Sequence, residues 1–113
     1  MAERFLYLVF SNPAEGREDD FNQWYDEVHI PEVLGLPGFV SAQRIAQQSG
    51  GAPSPVAPQQ QYGVIYEIEG DPAEVMGALN AGMAEGKLQM TDAVDPRSVQ
   101  MAVWTPSEKA VAP

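Results

Sequence analysis

The chain predicts an α+β fold in which four strands form one antiparallel sheet with two helices on one face, in the order β-α-β-β-α-β. Three observations carry that prediction. Four short runs are rich in aromatic and β-branched residues, two stretches between them repeat apolar residues at three- and four-residue spacing, and proline or glycine separates each run from the next. The 113 residues suit one domain, expected over residues 1–106 with a flexible tail at 107–113, because neither half of so short a chain would bury enough surface alone.

Arg4 to Ser11 (RFLYLVFS) is apolar on both alternations and reads as a central strand, stopped by Asn12-Pro13. The acidic stretch Glu15 to Asp20 suits the positive end of a helix, and Phe21, Trp24, Tyr25 and Val28 then form one apolar stripe. Pro31 lacks a donor and clashes with the preceding turn, so this helix is expected to end or bend around His29 and Ile30. Phe39 to Gln47 reads as the second strand and Tyr62 to Ile68 as the third, joined by a mobile loop at Ser49 to Pro58 with three prolines and two glycines. Asp71-Pro72-Ala73-Glu74 marks a helix start, with Val75, Met76, Leu79 and Met83 on its buried side and Gly86 as its stop. Val99 to Thr105 completes the set as the fourth strand.

Sixteen acidic against six basic side chains give a formal charge of −10, which opposes binding to nucleic acid or to an anionic membrane surface. The absence of cysteine removes disulfides and thiolate sites, and with no signal-like or spanning run a cytoplasmic location is expected. No group of histidines and carboxylates has ligand spacing, so no metal is expected. Gly50-Gly51 precedes no helix, no nucleophile elbow is present, and haem ligation by His29 would lack basic partners for the propionates; no cofactor is expected.

Helices on one face leave a difficulty. Phe5, Tyr7 and Val9 alternate with Leu6, Leu8 and Phe10, and Tyr62, Val64 and Tyr66 flank Ile65, so both faces of the sheet are greasy. A bare face of that kind exceeds what a soluble monomer tolerates, and two copies packed sheet to sheet about a twofold axis would cover it. A homodimer is expected.

The only histidine, His29, lies four residues from Tyr25 and three from Asp26, a spacing that places imidazole, phenol and carboxylate on one helical surface. A carboxylate neighbour would favour imidazolium and burial would favour the neutral ring. The bland alternative is a histidine that caps a helix end. Tyr7, Trp24, Tyr62, Tyr66 and Trp104 are candidates to line a pocket for a flat apolar molecule, or equally to fill a core or interface; Arg44 is a candidate for an anionic oxygen, or for a surface ion pair.

The segment Asn12-Pro13, then Phe21 to Leu34 (FNQWYDEVHIPEVL), then Leu36-Pro37-Gly38-Phe39, resembles the EthD-like branch of the dimeric α/β-barrel superfamily. The resemblance covers the first ~40 residues by motif and the rest by element order. It implies a ferredoxin-like monomer, a sheet-to-sheet dimer, and a cavity between sheet and helices or within the barrel, faced by the histidine before the proline, here His29. The superfamily holds cofactor-free monooxygenases, cyclases, isomerases and haem-binding degraders, so the fold alone selects no reaction.

Residues and resemblance together give a leading expectation: a cofactor-independent cyclase, isomerase or lyase acting on an apolar or aromatic carbonyl compound. His29 would move the proton and Tyr25 or another cavity tyrosine would steady charge on an oxygen. The alternatives are a cofactor-free monooxygenase, a protein that holds a hydrophobic ligand without turnover, and a purely structural dimer.

Overall fold

A computed structural model of the chain describes residues 3–48, 57–107 and 113. Most of the Ser49–Pro58 loop and most of the tail at 107–113 therefore lie outside the described residues. The strands are β1 (Arg4–Pro13), β2 (Phe39–Ala46), β3 (Tyr62–Glu69) and β4 (Val94–Trp104), in the antiparallel order β2-β3-β1-β4. Helical structure runs through α1 (Glu18–Trp24), a π-helical turn at Tyr25–His29 and α2 (Ile30–Leu34), and returns as α3 (Pro72–Ala84). The expected element order and sheet are met.

Cross-strand partners share a face, so the register assigns every side chain. Tyr7 pairs with Tyr66, Val9 with Val64 and Phe5 with Ile68, all on the helix side. There Phe21, Tyr25 and Val33 from the first helical stretch and Val75 and Leu79 from α3 close the core over them. On the other side Leu6 pairs with Trp104, Leu8 with Ile65 and Ala102, and Phe10 with Gly63, which in turn pairs with Ile45. Gly63 is there because Phe10 lies across it: a Cβ would meet Phe10 Cδ1 at 2.9 Å and Ile45 Cγ1 at 3.1 Å. This apolar strip has no helix over it.

Three boundaries differ from the sequence reading. The first helix does not end near His29. At the π-helical turn the Ile30 amide bonds the Tyr25 carbonyl, one residue further back than in an α-helix. Pro31 then falls in the first turn of α2, and the helix continues to Leu34. Strand β1 continues through Asn12-Pro13, and β4 starts at Val94 rather than Val99. The ladder bridges Asp95-Pro96-Arg97 by a register shift: Ser98 Oγ accepts the Asn12 amide at 2.8 Å and donates to the Asp95 carbonyl at 2.6 Å. Helix α3 starts as expected, with Asp71 accepting the Ala73 amide, and buries Val75, Leu79 and Gly82, the last packed under Leu88, while Met83 is left 39% exposed. Its end is a Schellman turn at Gly86, whose φ of 73° brings the Lys87 amide to the Gly82 carbonyl.

Among the described residues no helix is long and apolar enough to cross a membrane.

Two glycines test this packing with opposite signs. Gly38 has φ of 90° and a Cβ there would sit 2.4 Å from Val75 Cγ2, so Gly38→Ala is expected to lower stability by about 2–4 kcal/mol. Gly77 has open space within 4 Å inside α3, and Gly77→Ala is expected to raise stability by about 0.5–1 kcal/mol. Urea midpoints of the two variants check both.

Candidate functional site

The two helical stretches cover the sheet unevenly. They pack over β2, β3 and β1, while the helix-side residues of β4 stay open, Met101 being 56% exposed. Between β1, β4 and the helices lies a cavity of about 290 Å³. Its floor is Tyr7, Val9, Tyr66 and Met101, its wall Trp24, Tyr25 and His29, and its rim includes Met83 and Met90. Apart from His29 and its tyrosines the lining is almost wholly apolar, without a lysine, arginine or carboxylate.

The π-helical turn builds the wall. Residues five apart stand about 140° apart around an α-helix, yet here Trp24 and His29 stack with centroids at 4.3 Å and planes at 17°. Tyr25 meets the edge of the imidazole at 5.5 Å and 86°. Trp24 is fixed in turn by its Nε1, which donates to the Gln89 carbonyl at 3.0 Å, and Glu32 accepts the Gln89 amide at 2.8 Å. These two bonds strap the segment leading into Met90 and Thr91 against the cavity.

Burial decides the charge of the histidine. Loss of hydration pushes the His29 pKa down to about 4, against a weaker opposing pull from Glu32. The ring is neutral at pH 7, and its Nδ1 is buried without a hydrogen-bond partner. Asp26, expected beside the imidazole, is instead exposed and bonded to Arg44 at 3.2 Å, because the widened turn rotates it away. The phenols are likewise kept protonated. Burial, with Tyr25 nearby, pushes Tyr7 up to about 12, and burial raises Tyr66 further. Tyr25 is raised by burial against a hydrogen bond shared with Ser11 at 3.2 Å and the charge of Arg44.

Of the residues expected at a site, Tyr7, Trp24, Tyr25, His29 and Tyr66 meet at this cavity. Arg44, Tyr62 and Trp104 do not. Arg44 lies over the rings of Phe21, Tyr25 and Tyr62 at 5.2–5.7 Å and bonds Asn22 and Asp26, which pins the first helix to β2. Trp104 stands on the opposite face of the sheet, beside Leu6, where even strand alternation turns it. Sequence reasoning missed Met101, Met83 and Met90 at the mouth and Glu32 behind the histidine. Of these only Glu32 had a signal, its place three residues after His29.

Among the described residues no three histidine or carboxylate side chains gather as a metal site would need. No family model matches the chain, and no curated protein matches it by sequence. Solved structures do resemble it in fold. A protein of Shewanella loihica PV-4 described as a putative monooxygenase aligns over 96% of this chain and 99% of its own, with a TM-score of 0.59 and 15% identity. An ethyl tert-butyl ether D (EthD) family protein of Bacillus halodurans C-125 aligns over 94% and 99%, with a TM-score of 0.60 and 17% identity. At such identities the likeness is one of fold, and the ferredoxin-like, EthD-type architecture expected from the His29 segment is the one found.

The neutral imidazole has a measurable signature. The unfolded chain takes up a proton near the ordinary value of 6.5 and the folded chain only near 4, so stability falls as pH drops through that interval. The expected loss is about 2 kcal/mol by pH 5, and His29→Gln removes that part of the slope. An NMR titration of the His29 ring is expected to show its midpoint near 4; a midpoint at 6.5 would mean a hydrated ring.

Proposed function

We propose that this chain is a cofactor-independent small-molecule enzyme of the cyclase, isomerase or lyase type. Its substrate would be an apolar or aromatic carbonyl compound held in the cavity. The observation that carries this reading is the desolvated, uncharged imidazole of His29 facing an apolar chamber of about 290 Å³.

A neutral imidazole accepts a proton, and the surroundings favour acceptance only as charge develops. The imidazolium formed would lie flat on the Trp24 ring and feel Glu32, while a cavity phenol donates to the oxygen that becomes negative. A base this weak removes a proton only from an activated carbon, so the substrate carries its carbonyl next to the C–H bond that breaks. The same weakness favours a second reading, a protein that holds a hydrophobic ligand without turning it over. A cofactor-free monooxygenase, in keeping with the description of the Shewanella protein, is the third.

We further place the protein in the cytoplasm as a homodimer joined through the bare side of the sheet. The apolar strip Leu6, Leu8, Phe10, Ile45, Ile65 and Trp104 supports that pairing, and it lies on the face away from the cavity. Each subunit therefore carries a complete site.

Proton abstraction is read directly by deuterium uptake next to the carbonyl of aryl ketones in heavy water. His29→Gln is expected to slow uptake by roughly 10²–10⁴-fold with ketone binding nearly unchanged. Binding without uptake by the natural chain favours the ligand-holding reading. In sedimentation the natural chain is expected as two subunits and Leu8→Asp as one, with ligand binding retained; a natural chain that runs as one subunit ends the pairing.

A further inference from the structure

The cavity holds three phenols, and one of them is paired with an acceptor weak enough to be exchanged for a ligand. Tyr25 shares its hydrogen bond with Ser11, which is itself buried, so using it would strand a second hydroxyl. Tyr66 is the most deeply buried of the three, at 2% exposure. Tyr7 donates to the sulfur of Met101 at 3.0 Å. A thioether is a weak acceptor.

We propose that Tyr7 is the residue that selects the ligand, its hydroxyl leaving the Met101 sulfur for a carbonyl oxygen on an uncharged ring compound in the cavity. The inference rests on the reading of the cavity as a binding chamber and names the group that reads the ligand there. The donor is fixed and its present acceptor can move. The Tyr7 ring is stacked on Tyr66 at 5.7 Å and 26° and is 5% exposed, so the hydroxyl keeps its position. Met101 belongs to the edge strand β4, diagonal to Tyr7 in the register, and its unbranched side chain is half in solvent and free to swing outward. Among mostly apolar walls the exchange of sulfur for a carbonyl oxygen strengthens the bond, and the released thioether is left to solvent.

The lining also sets the charge of the ligand. Among the described residues no cationic side chain faces the cavity, and Arg44 is engaged elsewhere, so a carboxylate would find no partner among them. A ketone or aldehyde on a fused apolar ring satisfies the donor and the walls together.

The test compares 1-tetralone with tetralin, the same ring system without the carbonyl, by calorimetric titration of the full chain. The natural protein is expected to prefer tetralone by roughly threefold to tenfold. Tyr7→Phe should remove that preference while leaving tetralin binding unchanged. Met101→Leu, which deletes the competing acceptor and keeps the bulk, should widen it. Tetralone preference that survives Tyr7→Phe, or that narrows in Met101→Leu, overturns the assignment. Equal binding of both probes to the natural chain also overturns it and leaves the chamber reading intact, whereas no binding of either probe removes both.

Discussion

The widened turn at Tyr25–His29 is the constraint on which the site depends. A regular α-helix through this segment would put Pro31 against the carbonyl of Glu27 and carry Trp24 and His29 to different sides. One extra residue in the turn relieves the first problem and creates the second arrangement, a flat imidazole on an indole. The turn is held from outside by Arg44, bonded to Asn22 and Asp26, and from the other side by Gln89, bonded to Trp24 and Glu32. Its cost in hydrogen-bond geometry is offset by those four contacts.

Burial then does the chemical work. The same enclosure that lowers the proton affinity of His29 raises that of the three tyrosines, so the chamber near neutral pH contains only uncharged donors and acceptors. Under the proposed chemistry, charge would appear inside it only during a reaction, when every dipole already in place counts more than it would in water.

The sequence was legible where a residue's local preference and its tertiary role agree. Asp71-Pro72 starts α3 because cap chemistry is local, and the aromatic and branched runs of β1 and β3 name the sheet because such side chains pack well on a pleated surface. The His29 segment pointed to the right fold, and five of the residues expected at a site, three of them from that segment, meet at the cavity. What was hidden depends on contacts distant along the chain. Pro31 read as a stop or a bend, since nothing local reports a π-helical turn. Asp95-Pro96-Arg97 fell outside the strand expected from Val99, since the Ser98 hydroxyl that stands in for the ladder is a side chain from the far end of the sequence bonded to Asn12. Arg44 and Trp104 were placed by residue type alone. An arginine over three rings and a tryptophan on the outer face are decisions of register, which composition does not carry.

On the proposed reading, the surface and the chamber would impose compatible selections on a ligand. All four arginines, Arg4, Arg17, Arg44 and Arg97, stand within 4 Å of a carboxylate, so their charge is spent within the molecule and the exterior is dominated by unpaired acid groups. Such an exterior repels anionic metabolites at a distance. The lining, without a charged group, rejects any ion that arrives, because desolvation is then uncompensated. Neither barrier touches an uncharged ring compound, which approaches the surface indifferently and gains by burying its apolar area. The acidic composition and the neutral, mostly apolar cavity would then act as two filters that leave the same class of molecule.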